Sequence, residues 1–377
     1  MKIKNANVFT IKEGFIQTDV FIKDGLFSKD TDDNNVLDAN QSLLIPGLID
    51  IHFHGCAGYD FCDTNDVAFA KIAEYELHNG ITSICPASMT LPEEDLIYIL
   101  ERTASFASIP QIKPTARLCG VHLEGPFISY DKKGAQNSDF IKSPDFALFE
   151  RLLSVAPDLV KLITIAPELE GALPLIEQIS SRVHVSLGHT NCDYKTAMEA
   201  FSLGADHMTH LYNAMPSFTH RSPGPIGAAA DSSNVMVELI CDGIHIDPSA
   251  VRSTFKLFGD DRIILVSDSM MATGMKDGTY SLGGQVVTVK GNLATLKNGT
   301  LAGSVTNLMD CLRVAVSMGI SLESAVKCAT FNPAKSIGID AAYGSIAPGK
   351  VADCLLLDKH TLVLQKVILG GHVIYTF

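Results

Sequence analysis

The sequence predicts an α/β protein: a (β/α)8 TIM-like barrel with a small β-sandwich domain built from both chain termini. Three observations carry this expectation. Short apolar runs recur eight times through the middle of the chain, with helix-length amphipathic stretches between them. The runs are nearly continuous in their apolar character, as parallel strands buried on both faces are. Both ends of the chain carry instead short β-prone pieces separated by turns. The 377 residues suffice for a barrel of about 250 residues plus one smaller unit.

Taken in order, Asn7-Val8-Phe9-Thr10 and Asp19-Val20-Phe21-Ile22 read as strands, with Asp24-Gly25 as a hairpin turn. The barrel runs are Leu43–Ile51, Ile81–Pro86, Arg117–Leu123, Val160–Ile165, Val183–Leu187, His207–Leu211, Val235–Cys241 and Arg262–Val266. Helices are expected at Val67–Asn79, Asp145–Ala156 and Asp193–Leu203, the last closed by Gly204. From 277 to 303 the turn pairs Asp277-Gly278, Gly283-Gly284 and Asn298-Gly299 predict an inserted β-hairpin. Helices at about Asn307–Met318 and Leu322–Ala329 follow. Strands at Ala352–Leu357, Lys366–Leu369 and His372–Phe377 close the chain, the last two joined by Gly370-Gly371. Isolated hairpins are marginal in water. Residues 1–45 and 344–377 are therefore expected to pair into one small β domain beside a barrel of 46–343.

Composition narrows the function. Lys and Arg total 29 against 42 Asp and Glu, a net charge of −13. So acidic a surface repels phosphate backbones, so no nucleic-acid partner is expected, and an anionic substrate needs a local basic group. No apolar run reaches membrane-span length and no signal peptide is read. The nine cysteines include no Cys-x-x-Cys pair; they read as small buried hydrophobes in a reducing cytoplasm. Walker A and Gly-x-Gly-x-x-Gly patterns are missing, leaving nucleotide hydrolysis and dinucleotide redox chemistry unsupported.

A TIM barrel places its chemistry at the C-terminal ends of its strands. Those ends carry His52-Phe53-His54, His122-Leu123-Glu124, Gly188-His189, Thr209-His210, Asp242-Gly243-Ile244-His245 and Ser267-Asp268. His52 and His54, one residue apart, project from the same face of a strand. Imidazole and carboxylate donors suit Zn²⁺, with iron or manganese as alternatives. His122, on the face of Glu124 but one layer deeper, supports the ligands or is an ordinary core histidine. His184 lies at the far end of its strand, and His207 falls on the face opposite His210. Asp268 emerges at the mouth, where a carboxylate beside an activated water can shuttle its proton; Ser267-Asp268-Ser269 equally suits a helix N-cap. Arg221, in the loop after strand six, is suited to holding phosphate, although an exposed, solvated arginine is the plainer reading.

Pro46-Gly47-Leu48-Ile49-Asp50-Ile51-His52-Phe53-His54-Gly55 resembles the strand-one signature of the amidohydrolase superfamily. His122-Leu123-Glu124-Gly125-Pro126-Phe127, Gly188-His189-Thr190, His210-Leu211-Tyr212-Asn213-Ala214-Met215, Asp242-Gly243-Ile244-His245 and Leu301-Ala302-Gly303-Ser304 resemble one branch of it, the N-acetylglucosamine-6-phosphate deacetylases. The resemblance implies that Glu124, His189 and His210 are the main metal ligands and Asp268 the general acid/base. It further implies that His245, Arg221, Asn213 and Ala214 hold a sugar phosphate. His52 and His54 match a pair that binds a second ion in some members, so one or two divalent ions are expected. Where some members carry a histidine on the acetyl carbonyl, this chain has Gln136 after Lys132-Lys133-Gly134-Ala135, and Gln136 is expected to donate to that oxygen.

The resemblance thus implies hydrolysis of the N-acetyl group of N-acetylglucosamine 6-phosphate in amino-sugar catabolism, by a homodimer in which His220 and Arg221 complete a neighbour's pocket. Three rivals remain. N-acetylgalactosamine 6-phosphate differs at one hydroxyl. Cyclic amidases of the superfamily usually carry a metal-bridging lysine at the end of strand four, where this chain reads Leu162-Ile163-Thr164-Ile165-Ala166-Pro167. A non-catalytic, metal-stabilised binding protein would have no use for Asp268.

Overall fold

A computed structural model describes residues 1–63, 66–109 and 113–377. Eight parallel strands surround the site, and we number them β1 (Leu48–Asp50), β2 (Ile81–Ile84), β3 (Val121–Glu124), β4 (Val160–Ile165), β5 (His184–Leu187), β6 (His207–Met208), β7 (Met236–Ile240) and β8 (Ile263–Val266). Strands β3 to β8 pair in sequence order, and β1 pairs with β2. Between β2 and β3 the short strands Ala87–Ser88 and Arg117–Leu118 bridge the two ladders. The ring closes at the rim, where the Asp268 N–H donates to the His52 carbonyl at 2.9 Å.

Alternation along the strands sorts the core into layers. Leu48, Val121, Leu123, Ile163, Val185, Val237 and Leu265 face outward and join the cluster shared with the helices. Ile49, Leu162, Met236, Ile240, Ile264 and Val266 fill the interior, which Ala334 and Ile337 plug. Above them lies a polar layer: His122 Nε2 is 2.8 Å from Thr164 Oγ1, which is 2.7 Å from Thr209 Oγ1, itself 2.6 Å from Ser186 Oγ. The helices start at capping residues: the Asp145, Asp193 and Asn307 side chains each accept from the first turn of the helix that follows.

Both chain ends build one sheet through the order His372–Thr376, Leu364–Leu369, Cys354–Leu357, Leu43–Pro46, Lys2–Thr10, Gly14–Lys23, Leu26–Ser28, with Val36–Asp38 beside Lys2–Thr10. It curls until Phe27 exchanges backbone bonds with Gly349 and Lys350, both at 2.8 Å, enclosing Ile3, Val8, Val20, Ile22, Leu44, Cys354 and Leu356 in a core of its own. Asp24-Gly25 is the predicted two-residue turn, with φ of 52° and 77°.

Three expectations change in detail. The run Leu43–Ile51 divides at Gly47, between the terminal sheet and β1. The Gly47 N–H donates to Asp353 in the sheet, and the next N–H, of Leu48, donates to Gly80 in the barrel. A Cβ on Gly47 would lie 2.0 Å from Thr82 Oγ1, so only glycine passes there. The expected run His207–Leu211 keeps ladder pairing only to Met208, because the backbone turns at His210. The 277–303 insertion is a three-stranded antiparallel meander, Gly278–Leu282, Gln285–Lys290 and Leu293–Leu296, not a single hairpin. Its core includes Met89, Met270, Leu282, Val287 and Ala302, which seats it on the barrel mouth.

Candidate metal centre and active-site cavity

His52, His189, His210 and Asp268 leave their strands alike: each is the second residue beyond the end of β1, β5, β6 or β8. The last three do so with φ of 46°, 30° and 48°. That left-handed conformation costs a non-glycine residue about 1–3 kcal/mol and persists only where its surroundings enforce it. Here backbone bonds do so: Ser129 N–H donates to His189 O at 2.8 Å and Ser304 N–H to Asp268 O at 2.7 Å. The turns swing the side chains toward the barrel axis.

They converge on Glu124, at the end of β3. Its Oε1 lies 3.1 Å from both His189 Nε2 and His210 Nε2, which are themselves 3.1 Å apart. His52 Nε2 is 3.3 Å from the same oxygen, and His54 Nε2 is 3.3 Å from Oε2. Asp268 Oδ1 is 3.3 Å from His54 Nε2 and 3.8 Å from His52 Nε2. The Asp268 carboxylate therefore faces the cluster and caps no helix. All these side chains are buried.

Three of the four rings are held from behind, as metal-binding histidines are. His54 Nδ1–H donates to Ala87 O at 3.2 Å, His189 Nδ1–H to Lys132 O at 2.9 Å, and His52 Nδ1–H to Glu238 Oε2 at 2.7 Å. Sequence reasoning passed over Glu238. The signal was available: a lone carboxylate in the apolar strand Met236-Val237-Glu238-Leu239-Ile240, at the inward parity of Met236 and Ile240.

Two donor groups face the cavity, Glu124 with His189 and His210, and His52 with His54 and Asp268; His52, His122 and Glu238 form a third, in which Glu238 Oε2 already binds His52 Nδ1 at 2.7 Å. The residues fit divalent ions on two observations. Donors about 3 Å apart suit an ion about 2.0–2.1 Å from each, and His52 Nε2 points into the cluster without a hydrogen-bond partner. Glu124, Glu238 and Asp268 also have only imidazoles as basic neighbours among the described residues, and buried charge without compensation is costly. A fourth group among the described residues, His184, Asp206 and His207 at the opposite end of the barrel, differs. Its imidazole–carboxylate distances of 2.6 and 2.9 Å are hydrogen bonds, and His207 Nε2 is 2.6 Å from Ser336 Oγ.

The same electrostatics appear in the titrations. Burial works against ionised Glu124, yet the charges of His52 and His189 hold it well below the usual carboxylate range. Burial likewise disfavours charged His54, but bonds to Asp268 and Glu124 push it up to about 10. The cage attracts positive charge. His122, a layer below, is pushed down to about 3 by burial and the nearby charge of His52.

Above the cluster opens a cavity of about 510 Å³. His54, Gln136, His189, His210, Asn213, Ala214, His245 and Asp268 line it, with Leu282 and Thr300 reaching in around the meander. His245 is held by Asp242, its Nδ1 at 2.7 Å from Oδ2; burial opposes its charged form, but this bond raises it above its ordinary value. Gln136 is turned toward the cluster: its Nε2 donates to Glu124 Oε2 at 2.5 Å, and its Oε1 accepts from Thr90 N–H at 2.7 Å. Arg221 is the one predicted site residue that is not brought in. It is exposed and lies outside the cavity wall. The cations that do line the wall are Lys132 and Lys133, which the sequence reading left unassigned.

A family model described as the amidohydrolase family matches residues 43–374. The chain belongs to the amidohydrolase family. Among its relatives, this amidohydrolase is 37% identical over 338 residues to the N-acetylglucosamine-6-phosphate deacetylase of Bacillus subtilis, covering 88% of this chain and 84% of that protein. It is 34% identical over 338 residues to the N-acetylgalactosamine-6-phosphate deacetylase of Escherichia coli O157:H7, covering 89% of each. Its fold superposes with a TM-score of 0.92 on an alanine variant of the N-acetyl-D-glucosamine-6-phosphate deacetylase of Mycobacterium smegmatis, solved with N-acetyl-D-glucosamine-6-phosphate, at 31% identity over 100% of this chain and 99% of that one. The barrel and the terminal sheet are thus both shared with amidohydrolase deacetylases. No described helix is long and apolar enough to cross a membrane.

Proposed function

We propose that this amidohydrolase hydrolyses the N-acetyl group of N-acetylglucosamine 6-phosphate, releasing acetate and glucosamine 6-phosphate. The observation that carries the reading is the convergence of four imidazole Nε2 atoms on the Glu124 carboxylate within 3.3 Å, on the floor of a cavity that Asp268 also lines. The names of the relatives support the glucosamine substrate over its galactosamine epimer.

Glu124, His189 and His210 would hold one divalent ion, and His52 and His54, with Asp268 beside them, would hold a second; zinc suits the donors, with iron or manganese as alternatives. Such an ion supplies Lewis acidity, activating water and polarising an acyl oxygen. Asp268 accepts the proton of the attacking water and returns it to the departing amine nitrogen. Buried in the wall, it makes this transfer away from bulk solvent. His245, Asn213 and the backbone at Ala214 orient the sugar phosphate, with Lys132 and Lys133 offsetting the global negative charge. We place Arg221 at the cavity of a second copy in a cytoplasmic homodimer, which accounts for its exposure in the single chain. Gln136, engaged at both ends of its amide, acts on the substrate through Glu124 more than directly.

Acetate release from the two hexosamine phosphates, with and without prior chelation, tests the reading. Faster, chelator-sensitive turnover of the glucosamine compound is expected. Equal or faster turnover of the epimer would reassign the substrate, and no release by metal-loaded protein would reject deacetylation.

A further inference from the structure

Glu238 lies in the middle of β7, fully buried and, among the described residues, without a lysine or arginine partner. Its Oε2 is 2.7 Å from His52 Nδ1 and 3.1 Å from the backbone nitrogen of His210. One oxygen therefore touches a residue from each of the two donor groups. The backbone N–H of His210 donates to Oε2, and an ionised carboxylate only accepts, so beside Glu238 as carboxylate the His52 nitrogen facing it carries a hydrogen. A neutral imidazole with its hydrogen on Nδ1 has its lone pair on Nε2. In His52 that atom points at the cluster, 3.3 Å from Glu124 Oε1, and has no hydrogen-bond partner.

The same oxygen acts on His210 differently. There it binds the backbone, at a residue whose φ of 30° is strained, and leaves the ring untouched. Glu238 thus orients the ring of His52 but only steadies the turn that carries His210. Its second oxygen is 3.9 Å from His122 Nδ1, too far for a hydrogen bond.

We propose that Glu238 is a positioning residue which fixes the hydrogen of His52 on Nδ1, aims Nε2 at the second donor group, and so governs retention of the second ion while the first is largely spared. The inference rests on the reading that Glu124, His189 and His210 hold one ion and His52 and His54 another.

The test is Zn²⁺ binding by the full-length protein, stripped with chelator and titrated by calorimetry with a chromophoric chelator as competitor. Wild type is expected to bind two ions per chain. Glu238→Leu fills the same space but accepts no hydrogen bond; it is expected to bind the second ion at least tenfold more weakly and the first within about threefold, in line with the 10–100-fold effect of losing such a partner. Glu238→Gln, whose amide oxygen can still accept both bonds, is expected to restore most of the second site. A role in packing alone predicts that both variants, which fill the same space, keep the second ion. Two ions bound by Glu238→Leu with wild-type affinities would overturn the inference and leave the metal reading standing. Loss of both ions in equal measure by a folded Glu238→Leu would also overturn it. A wild type that binds one ion or none would overturn it together with the reading beneath it. Should Glu238→Leu fail to fold, nitrogen-15 NMR of histidine-labelled, metal-free wild type decides. A hydrogen on Nδ1 of His52 supports the proposal, and a hydrogen on Nε2 with Nδ1 bare overturns it.

Discussion

The side-chain amide of Gln136 donates to the Oε2 of Glu124 at 2.5 Å, while its own oxygen accepts the Thr90 N–H at 2.7 Å. Gln136 is thereby a strut between the loop at Thr90 and the carboxylate on which the histidines converge. It fixes the rotation of Glu124, and with it which oxygen faces His189 and His210 and which faces His54. Gln136→Ala removes the strut without touching a histidine. It is expected to weaken divalent-ion binding by about 10–100-fold, measured by competition with a chelator of known affinity. Unchanged affinity, with a loss in kcat alone, would return Gln136 to direct work on the acyl oxygen.

Asp268 is held at both backbone atoms, its N–H on His52 O at 2.9 Å and its carbonyl on Ser304 N–H at 2.7 Å. The turn that carries its carboxylate into the cluster is therefore fixed by the chain itself. Asp268→Asn keeps shape and hydrogen bonds but takes up no proton. Turnover should fall by about 10²–10⁴-fold, the usual worth of a positioned acid/base, while the ion at Glu124, His189 and His210 is retained. Acetate release and metal content measured on the same preparation check this. Near-normal turnover would assign the proton transfer to another group.

How far the sequence could be read follows from the reach of each signal. Local chemistry was legible: Asp24-Gly25 makes its turn, and the helices expected from Asp145, Asp193 and Asn307 begin there, each residue capping the helix that follows. The rim histidines were legible because strand ends share one register in a barrel. Glu238 was not, because its meaning depends on His52 and His210, 186 and 28 residues away in the chain. Gly47 was missed for a similar reason: the apolar run passes through it unbroken, and only the approach of Thr82 shows that the strand changes sheets there. Arg221 matched a motif, but a motif records residue type and not where the fold sets the residue, which here is exposed and outside the cavity wall.

If Arg221 serves a neighbouring copy, the dimer reading makes a prediction that a single-chain site cannot. Arg221→Ala should raise KM for the phosphorylated substrate by roughly 10–100-fold, the loss of one charge-assisted contact, with kcat little changed. Arg221→Ala and Asp268→Asn chains mixed and allowed to exchange should regain activity, since a mixed pair holds one site with both residues intact; random pairing gives about a quarter of the wild-type sites. No recovery on mixing, with dimers present, would place Arg221 and Asp268 in the same chain's site or remove Arg221 from it.

Away from the cavity, Glu76 on the helix Asp66–His78 is 1% exposed. Burial, with the negative charge of Asp50 adding to it, pushes its carboxyl up from 4.5 to about 8. The sign of the effect on stability follows from which state holds the proton. Below about pH 4.5 both native and denatured chains carry it, and folding loses nothing. Between there and pH 8 the denatured chain ionises while native Glu76 stays neutral, so stability falls by about 1.4 kcal/mol for each pH unit. Above pH 8 both are ionised and the loss levels off. Glu76→Gln removes the titration and keeps the shape. The variant should match wild type near pH 4.5 and exceed it by an amount that grows toward pH 8, measured by urea unfolding across that range. A stability difference that stays constant with pH would show that Glu76 does not hold its proton in the native state.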